Sequence, residues 1–246
     1  MELGVGLQVD KKQGFLLEGL KALTKALCKN NAINSFSIHQ LRLNKEEGRL
    51  LADVLCTNTT LLSLDLGHNK LGSEGGKALA DALCQNSTLT SLNLSHNLIR
   101  QQGEQALAEA LCKNTTLMSL NLHNNFIQLE GALADALCKN TTLISLNLGC
   151  NGLTSKVGQI LADVLCKNTT LISFDLSHNN LRLKGGKALA KMFFNTSLID
   201  LNLENNNIGF KGENALEKAL KDACHENIKL TSLKLQVWEF LVYYIG

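Results

Sequence analysis

The sequence predicts an α/β solenoid, with parallel β-strands lining a concave face and α-helices covering the convex face. Three observations predict it. A unit near 28 residues long recurs along most of the 246-residue chain. Each unit opens with an alternating L-x-x-L-x-L stretch and continues with apolar residues at helical spacing. Proline is absent, so the residue type that most often marks linkers between domains is missing.

The units are read off in order. An apolar helix near residues 15–28 precedes the first copy, and residues 1–31 are assigned as an N-terminal capping helix. A weak copy begins at Ala32, with Ile33, Phe36 and Ile38 in the leucine positions. Clear copies restart at Thr60, Thr88, Thr116, Thr142, Thr170 and Ser197, spaced 28, 28, 26, 28 and 27 residues apart. The last begins at Lys229, with Leu230, Leu233 and Leu235. Repeats therefore fill residues 32–236, in eight strand segments alternating with eight helical segments. Leu89, Leu92 and Leu94 typify a strand with one buried face, and Ala106, Leu107, Ala110 and Leu111 a helix with one apolar side. Lys77, Asp81, Glu104, Glu109, Asp163, Lys187 and Glu217 fall on the expected exposed side. A glycine precedes most of the expected helices (Gly75, Gly103, Gly131, Gly158, Gly185, Gly212), suiting a tight turn into the helix. One unit cannot bury its own apolar face, so neighbours must stack. Helices about 10 Å wide beside strands about 4.8 Å apart bend the stack into an arc.

The pattern L-x-x-L-x-L-x-x-N-x-L, with a helix in each unit, resembles the ribonuclease-inhibitor type of leucine-rich repeat, over about residues 15–236. It is most similar to the repeat domains of NOD-like receptors and of bacterial effectors that imitate them. The resemblance implies a horseshoe-shaped leucine-rich-repeat solenoid that binds proteins.

An asparagine follows each clear strand: Asn69, Asn97, Asn125, Asn151, Asn179 and Asn206. A buried amide there can bond the backbone as the chain leaves the strand, and the resemblance implies a structural ladder. Leu41 takes the place in the first, degenerate unit. Cys28, Cys56, Cys84, Cys112, Cys138, Cys166 and Cys224 fall near helix ends, where Phe194 replaces the cysteine once. That substitution points to a buried apolar slot, and no C-x-x-C pair suggests zinc or redox chemistry. Cys150 alone lies just after a strand. The sequon-like Asn58, Asn86, Asn114, Asn140, Asn168 and Asn195 sit in helix-to-strand turns, where local backbone bonding explains them better than glycosylation.

The outward strand positions form the expected binding surface for a protein or peptide: Ser63, Asp65, Ser91, Asn93, Ser119, Asn121, His123, Ser145, Asn147, Ser173, Asp175, Asp200, Asn202 and Glu204. This surface is polar and slightly acidic, with few of the aromatic or arginine anchors that dominate interfaces. A second, weaker candidate is the loop edge beyond the strands, with His68, His96, Arg100, His178 and Arg182. His68 and His96 occupy equivalent places, but Asn124 and Cys150 interrupt the column, so no metal is expected. Residues 237–246 hold the only Trp and both Tyr, and read as a terminal cap or a contact site.

With 24 Lys and Arg against 22 Asp and Glu, the chain lacks the basic excess of a nucleic-acid protein. No run of about 18 apolar residues predicts a membrane span. The N-terminus lacks the pattern of a secretory signal, so a cytosolic location, or a host cytosol for an effector, is expected. No nucleophile elbow, phosphate loop or metalloprotease motif appears, and no cofactor is implied. The expected role is a non-enzymatic, monomeric interaction scaffold. The alternative is a GTPase activator of the Ran-activator type, in which Arg42, Arg100 or Arg182 would face a bound nucleotide. Self-association through the C-terminal strand or tail is a third reading.

Overall fold

A computed structural model describes residues 2–4, 13–129, 131–194, 197–223 and 230–235. Strands and helices alternate along the whole of it. The strands are β1 (Glu2–Gly4), β2 (Ser35–Ser37), β3 (Ser63–Asp65), β4 (Ser91–Asn93), β5 (Ser119–Asn121), β6 (Ser145–Asn147), β7 (Ser173–Asp175), β8 (Asp200–Asn202) and β9 (Ser232–Lys234). The helices are α1 (Gln13–Leu27), α2 (Lys45–Thr57), α3 (Gly72–Leu83), α4 (Arg100–Lys113), α5 (Ala132–Lys139), α6 (Ser155–Lys167), α7 (Arg182–Leu189) and α8 (Phe210–Ala223). All strands join one open parallel sheet in chain order. β1, which pairs Glu2 with Ser35, adds a strand to the eight read from the repeats. It lies outside the repeat pattern, so periodicity had no means of marking it.

The register explains why the repeat is so regular. Ser91 pairs with Ser119 and Asn93 with Asn121, so equivalent residues align across the sheet. In β2 to β8 only the central residue of each strand is buried. Leu64, Leu92, Leu120, Leu146, Phe174 and Leu201 thereby form one row of the core, between sheet and helices. Helical leucines such as Leu79, Leu107, Leu133 and Leu161 close it from the other side. Burying each is worth about 1.5–3 kcal/mol relative to exposure.

Two columns of buried asparagine join the repeats. At the strand exit, Asn97 Nδ2 donates to Leu66 O of the preceding repeat at 2.8 Å and to Leu94 O of its own at 3.0 Å. Its own backbone N–H donates to Asn125 Oδ1 of the next repeat at 2.9 Å. The sequon asparagines do the same at the strand entrance. Asn114 Oδ1 accepts from Thr116 N and Leu117 N at 3.0 and 2.7 Å, while Nδ2 donates to Leu83 O of the previous helix at 2.9 Å. Asn58, Asn86, Asn140 and Asn168 are buried in equivalent places. The turn reading of these residues holds, and the contact reaches across repeats as well as locally. Asn195 lies outside the described residues.

Three expectations are corrected. The helix-start glycines, Gly131 apart, lie inside helices and mark close approach, not turns. A Cβ on Gly158 would stand 2.6 Å from Gly185 Cα, so bare backbone lets α6 and α7 touch. Gly131, with φ 75°, does occupy a turn before its helix. The cysteine slot is not buried: Cys56 and Cys112 are exposed, and Cys28, Cys84, Cys138 and Cys166 are half-buried. Each of these six cysteines follows a buried leucine by one position, and one step around a helix leaves the buried stripe. The Phe194 side chain and Cys224 lie outside the described residues. Glu104 is also buried, at 4% exposure, not solvated. Its carboxylate accepts from Gln128 N and Leu129 N at 2.8 and 2.9 Å, holding the loop of the 26-residue unit, whose helix α5 has only 8 residues.

Replacing Gly158 with alanine would improve intrinsic helix propensity by about 1 kcal/mol. The close approach to α7 predicts the opposite net sign, a loss of about 1–3 kcal/mol from overpacking. Denaturant unfolding of Gly158→Ala checks this, and a gain in stability would show that the helices separate freely.

Candidate protein-binding surfaces

The solvent side of the sheet brings the predicted serine and Asp/Asn columns into adjacent rows, all half-buried within the strands. Many of the acidic and amide oxygens are already engaged. Asp65 Oδ1 accepts from Gly67 N at 2.8 Å and from Asn93 Nδ2 at 2.9 Å. Asn93, Asn121, Asn147, Asp175 and Asn202 likewise accept from the backbone N–H two residues on, at 2.9, 3.0, 2.9, 2.8 and 3.1 Å. One oxygen of each side chain therefore terminates its own strand, and Asn202 Nδ2 also donates to Asp175 Oδ2 of the preceding strand at 3.3 Å, as Asn93 Nδ2 does to Asp65. The next column is discontinuous: Glu204 is exposed and His123 half-buried, but Ser95 and Ser177 are buried.

The loop edge is built from residues in the left-handed region. His68, His96, Arg100, His178 and Arg182 all have φ of 55–56°. Left-handed geometry costs roughly 1–2 kcal/mol for a residue with a Cβ. Backbone bonds to the neighbouring repeat hold it: His96 N donates to His123 O at 2.8 Å and Arg100 N to Asn125 O at 2.9 Å. The same bend stacks His68 on His96, with centroids 4.0 Å apart, and brings His123 within 5.1 Å of His96. Asn124, which interrupts the histidine column in sequence, lies 2.8 Å from His96 Nδ1 through its Nδ2. Among the described residues no group of three or more His, Cys, Asp or Glu side chains is arranged to hold a metal.

Sequence reading missed two exposed apolar features. Arg100 sits 6.0 Å above the Phe126 ring, which is 55% exposed and pairs an arginine with an aromatic at the loop edge. At the opposite rim, Leu62, Met118, Ile172 and Ile199 are exposed just before their strands. Met118, Ile144, Ile172 and Ile199 line a shallow groove of about 560 Å³ with neighbouring threonines. The signal was present in sequence, since this rim position directly follows the first leucine of each unit. The alternation inside the strand drew attention to the serine column instead. Residues 236–246, including the aromatic tail, lie outside the described residues. No described helix is long and apolar enough to cross a membrane.

A leucine-rich-repeat profile, described as "Leucine Rich repeat", matches residues 57–80, 85–108, 113–134, 139–156, 167–190 and 194–212. No curated protein sequence matches the chain. Among solved structures, the fold is similar to the actin-binding site 2 region of leiomodin-1, at 24% identity and TM-score 0.51, covering 62% of this chain and 89% of that one. It is also similar to the C-terminal domain of Caenorhabditis elegans tropomodulin, at 17% identity and TM-score 0.48, covering 55% and 83% respectively.

Burial and then the His68 and His123 rings hold His96 below the usual histidine range. Burial is also the main cause for His123, opposed by Asp175 and reinforced by His178 and His68. The fold thus favours the neutral rings, and the unfolded chain binds more protons below about pH 6.5. Their contribution to stability is present above that value and is lost as pH falls through it. Stability is expected to decline as pH falls below about 6.5, and less steeply in a His96→Gln, His123→Gln variant. Equal declines in denaturant midpoint for both proteins would assign the proton uptake to other groups.

Proposed function

Because the chain belongs to the leucine-rich-repeat family, we propose that it is a non-enzymatic scaffold whose concave sheet binds a protein or peptide, in an innate-immune-receptor-like or effector-like role. The observation that carries this is the register. Ser91, Ser119, Ser145 and Ser173 align across neighbouring strands, as do Asn93, Asn121 and Asn147. An array of small polar groups allows the backbone of a partner to approach closely, and the half-buried serine, asparagine and aspartate side chains beside each strand supply orientation. Ser63, Asp65, Asp175, Asp200, Asn202 and Glu204 extend the surface toward both ends. Arg100, Arg182, His68, His96 and His178 form its loop edge, where Arg100 and Phe126 provide the residue types that act as interface anchors.

The leiomodin-1 region that shares the fold is an actin-binding site, which makes actin one ligand to assay beside proteins captured from lysate. The test compares intact protein with an Asn93→Arg, Asn121→Arg, Asn147→Arg variant. Three long cations in the centre of the face are expected to weaken partner binding at least about tenfold. Thermal unfolding of both proteins checks that the fold persists. Partners retained at equal affinity would move the site off the concave sheet.

A further inference from the structure

We propose that the loops leaving β2 to β5 take an acidic segment of a partner protein that also carries an aromatic or large aliphatic anchor. This rests on the reading of the chain as a protein-binding scaffold and gives the chemistry of what its loop edge holds.

The asparagine ladder builds this surface as it ends the strands. Buried Asn69, Asn97 and Asn125 each donate to a carbonyl of the preceding repeat. The residues just beyond them turn outward: Lys70, Leu98 and Phe126 are exposed, while Leu71, Ile99 and Ile127 are buried. Arg42, exposed, opens the same row, and the four positions are 28 residues apart. Parallel register aligns such equivalents in neighbouring repeats, so the row spans three strand spacings of about 4.8 Å. Bonds from loop to loop hold it, with His68 N donating to Ser95 O and His96 N to His123 O, both at 2.8 Å.

Two cations and two large apolar side chains therefore stand side by side. Leu98 and Phe126 are 39% and 55% exposed, and Arg100 lies 6.0 Å from the centre of the Phe126 ring. The stacked rings of His68 and His96 border them. Exposed apolar groups rimmed by polar ones, with an arginine against an aromatic, have the composition of a protein contact.

The charge of the loops selects the sign of the partner. Between the end of each strand and the next helix, from residue 39 to residue 209, the described loops hold Arg42, Lys70, Arg100 and Arg182 against Glu204 alone. Glu130 lies outside the described residues. None of the four cations forms an ion pair among the described residues. The acids near the starts of α2, α3 and α4 are already occupied. Glu46 pairs with Arg49 at 3.3 Å, and Glu74 with Arg49 and Lys45 at 3.0 and 3.2 Å. Glu47 accepts from Asn44 N at 2.7 Å, and Glu104 holds Gln128 N and Leu129 N. Asp65, at the adjoining strand end, accepts from Gly67 N and Asn93 Nδ2. An incoming carboxylate thus meets cations that no described acid neutralises, and a basic segment meets repulsion. The apolar centre of the row and the nearby Asp65 favour an acidic peptide over a nucleic acid, whose phosphates need a continuous basic track.

The probe is a display library of random peptides of about ten residues, long enough to cross four strand spacings, selected on the intact chain. Enriched peptides are expected to combine aspartate or glutamate with an aromatic or large aliphatic residue. Their affinity is expected to fall as salt rises, and at least about tenfold in a Lys70→Glu, Arg100→Glu variant and in Phe126→Asn. Phe126 has φ 59°, a conformation that asparagine visits readily, so the thermal midpoint of Phe126→Asn should not fall below that of the parent. Peptides whose acids are changed to lysine should bind the double-glutamate variant better than the parent, which separates recognition from misfolding. Enrichment of basic peptides, no enrichment, or affinity undiminished by both variants would overturn the proposal. A single-stranded oligonucleotide that binds where no peptide is enriched, and is lost in the double-glutamate variant, would make nucleic acid the occupant and overturn it too. A protein partner lost by the concave triple-arginine variant but held equally by the loop variants would leave the scaffold reading standing and remove only the loop edge.

Discussion

Every strand among the described residues is three residues long, and each repeat has too little surface to bury a core alone. What makes such units cohere is the pairing of side-chain amides with backbone across repeat boundaries. Asn97 illustrates the arrangement: its Nδ2 reaches carbonyls in two repeats, and its backbone N–H is answered by Asn125 from a third. At the other end of the strand, Asn114 joins the exit of one helix to the entrance of the next strand. Between these two ladders the strand is held at both ends, and its central leucine must point inward. An unpaired polar group at either place would be buried and costly. The same bonds keep successive strands in register and so create the ordered polar columns of the sheet surface.

The helical side obeys a different constraint, which is how closely backbones approach. Gly158 against Gly185 shows that adjacent helices meet where no side chain intervenes. Where the repeat is two residues shorter, the helix α5 contracts and a loop replaces its first turn. Glu104 from the preceding helix then supplies the acceptors that the missing turn would have provided. One buried carboxylate thus compensates for a local change in repeat length, and the sheet continues without a break through β5 and β6.

These structural duties shape the surfaces available for binding. The aspartates and asparagines of the sheet are divided between ending their strands and facing solvent, so the central face offers precise but small polar contacts. The bulkier contact groups are displaced to the edges. At the loop edge, left-handed backbone presents Arg100, Phe126 and the stacked histidines. At the strand-entrance rim, it is the residue after the first leucine that projects outward. A partner seated on the sheet can therefore gain directionality in the middle and apolar burial at the margins, a division common to protein interfaces.

The architecture was legible in the sequence because stacking repeats must repeat their chemistry. The spacing of Leu89, Leu92 and Leu94, the following Asn97 and the apolar helix faces all arise from local periodicity, which a linear chain displays directly. The polar columns around Asn93, Asn121 and Asn147 were legible for the same reason. What only the tertiary structure decided lies where residues of one repeat meet another. Glu104 looks like a solvated helix position until the shorter neighbour places backbone N–H groups beside it. The glycines look like turn residues until the helices are packed, and the cysteines look buried until one step of helical rotation turns them outward. Met118, Ile144, Ile172 and Ile199 become a groove only when parallel register aligns residues that are 26 to 28 positions apart. Sequence pattern determines which face of each unit is buried; the angle and distance between units determine what the remaining faces can touch.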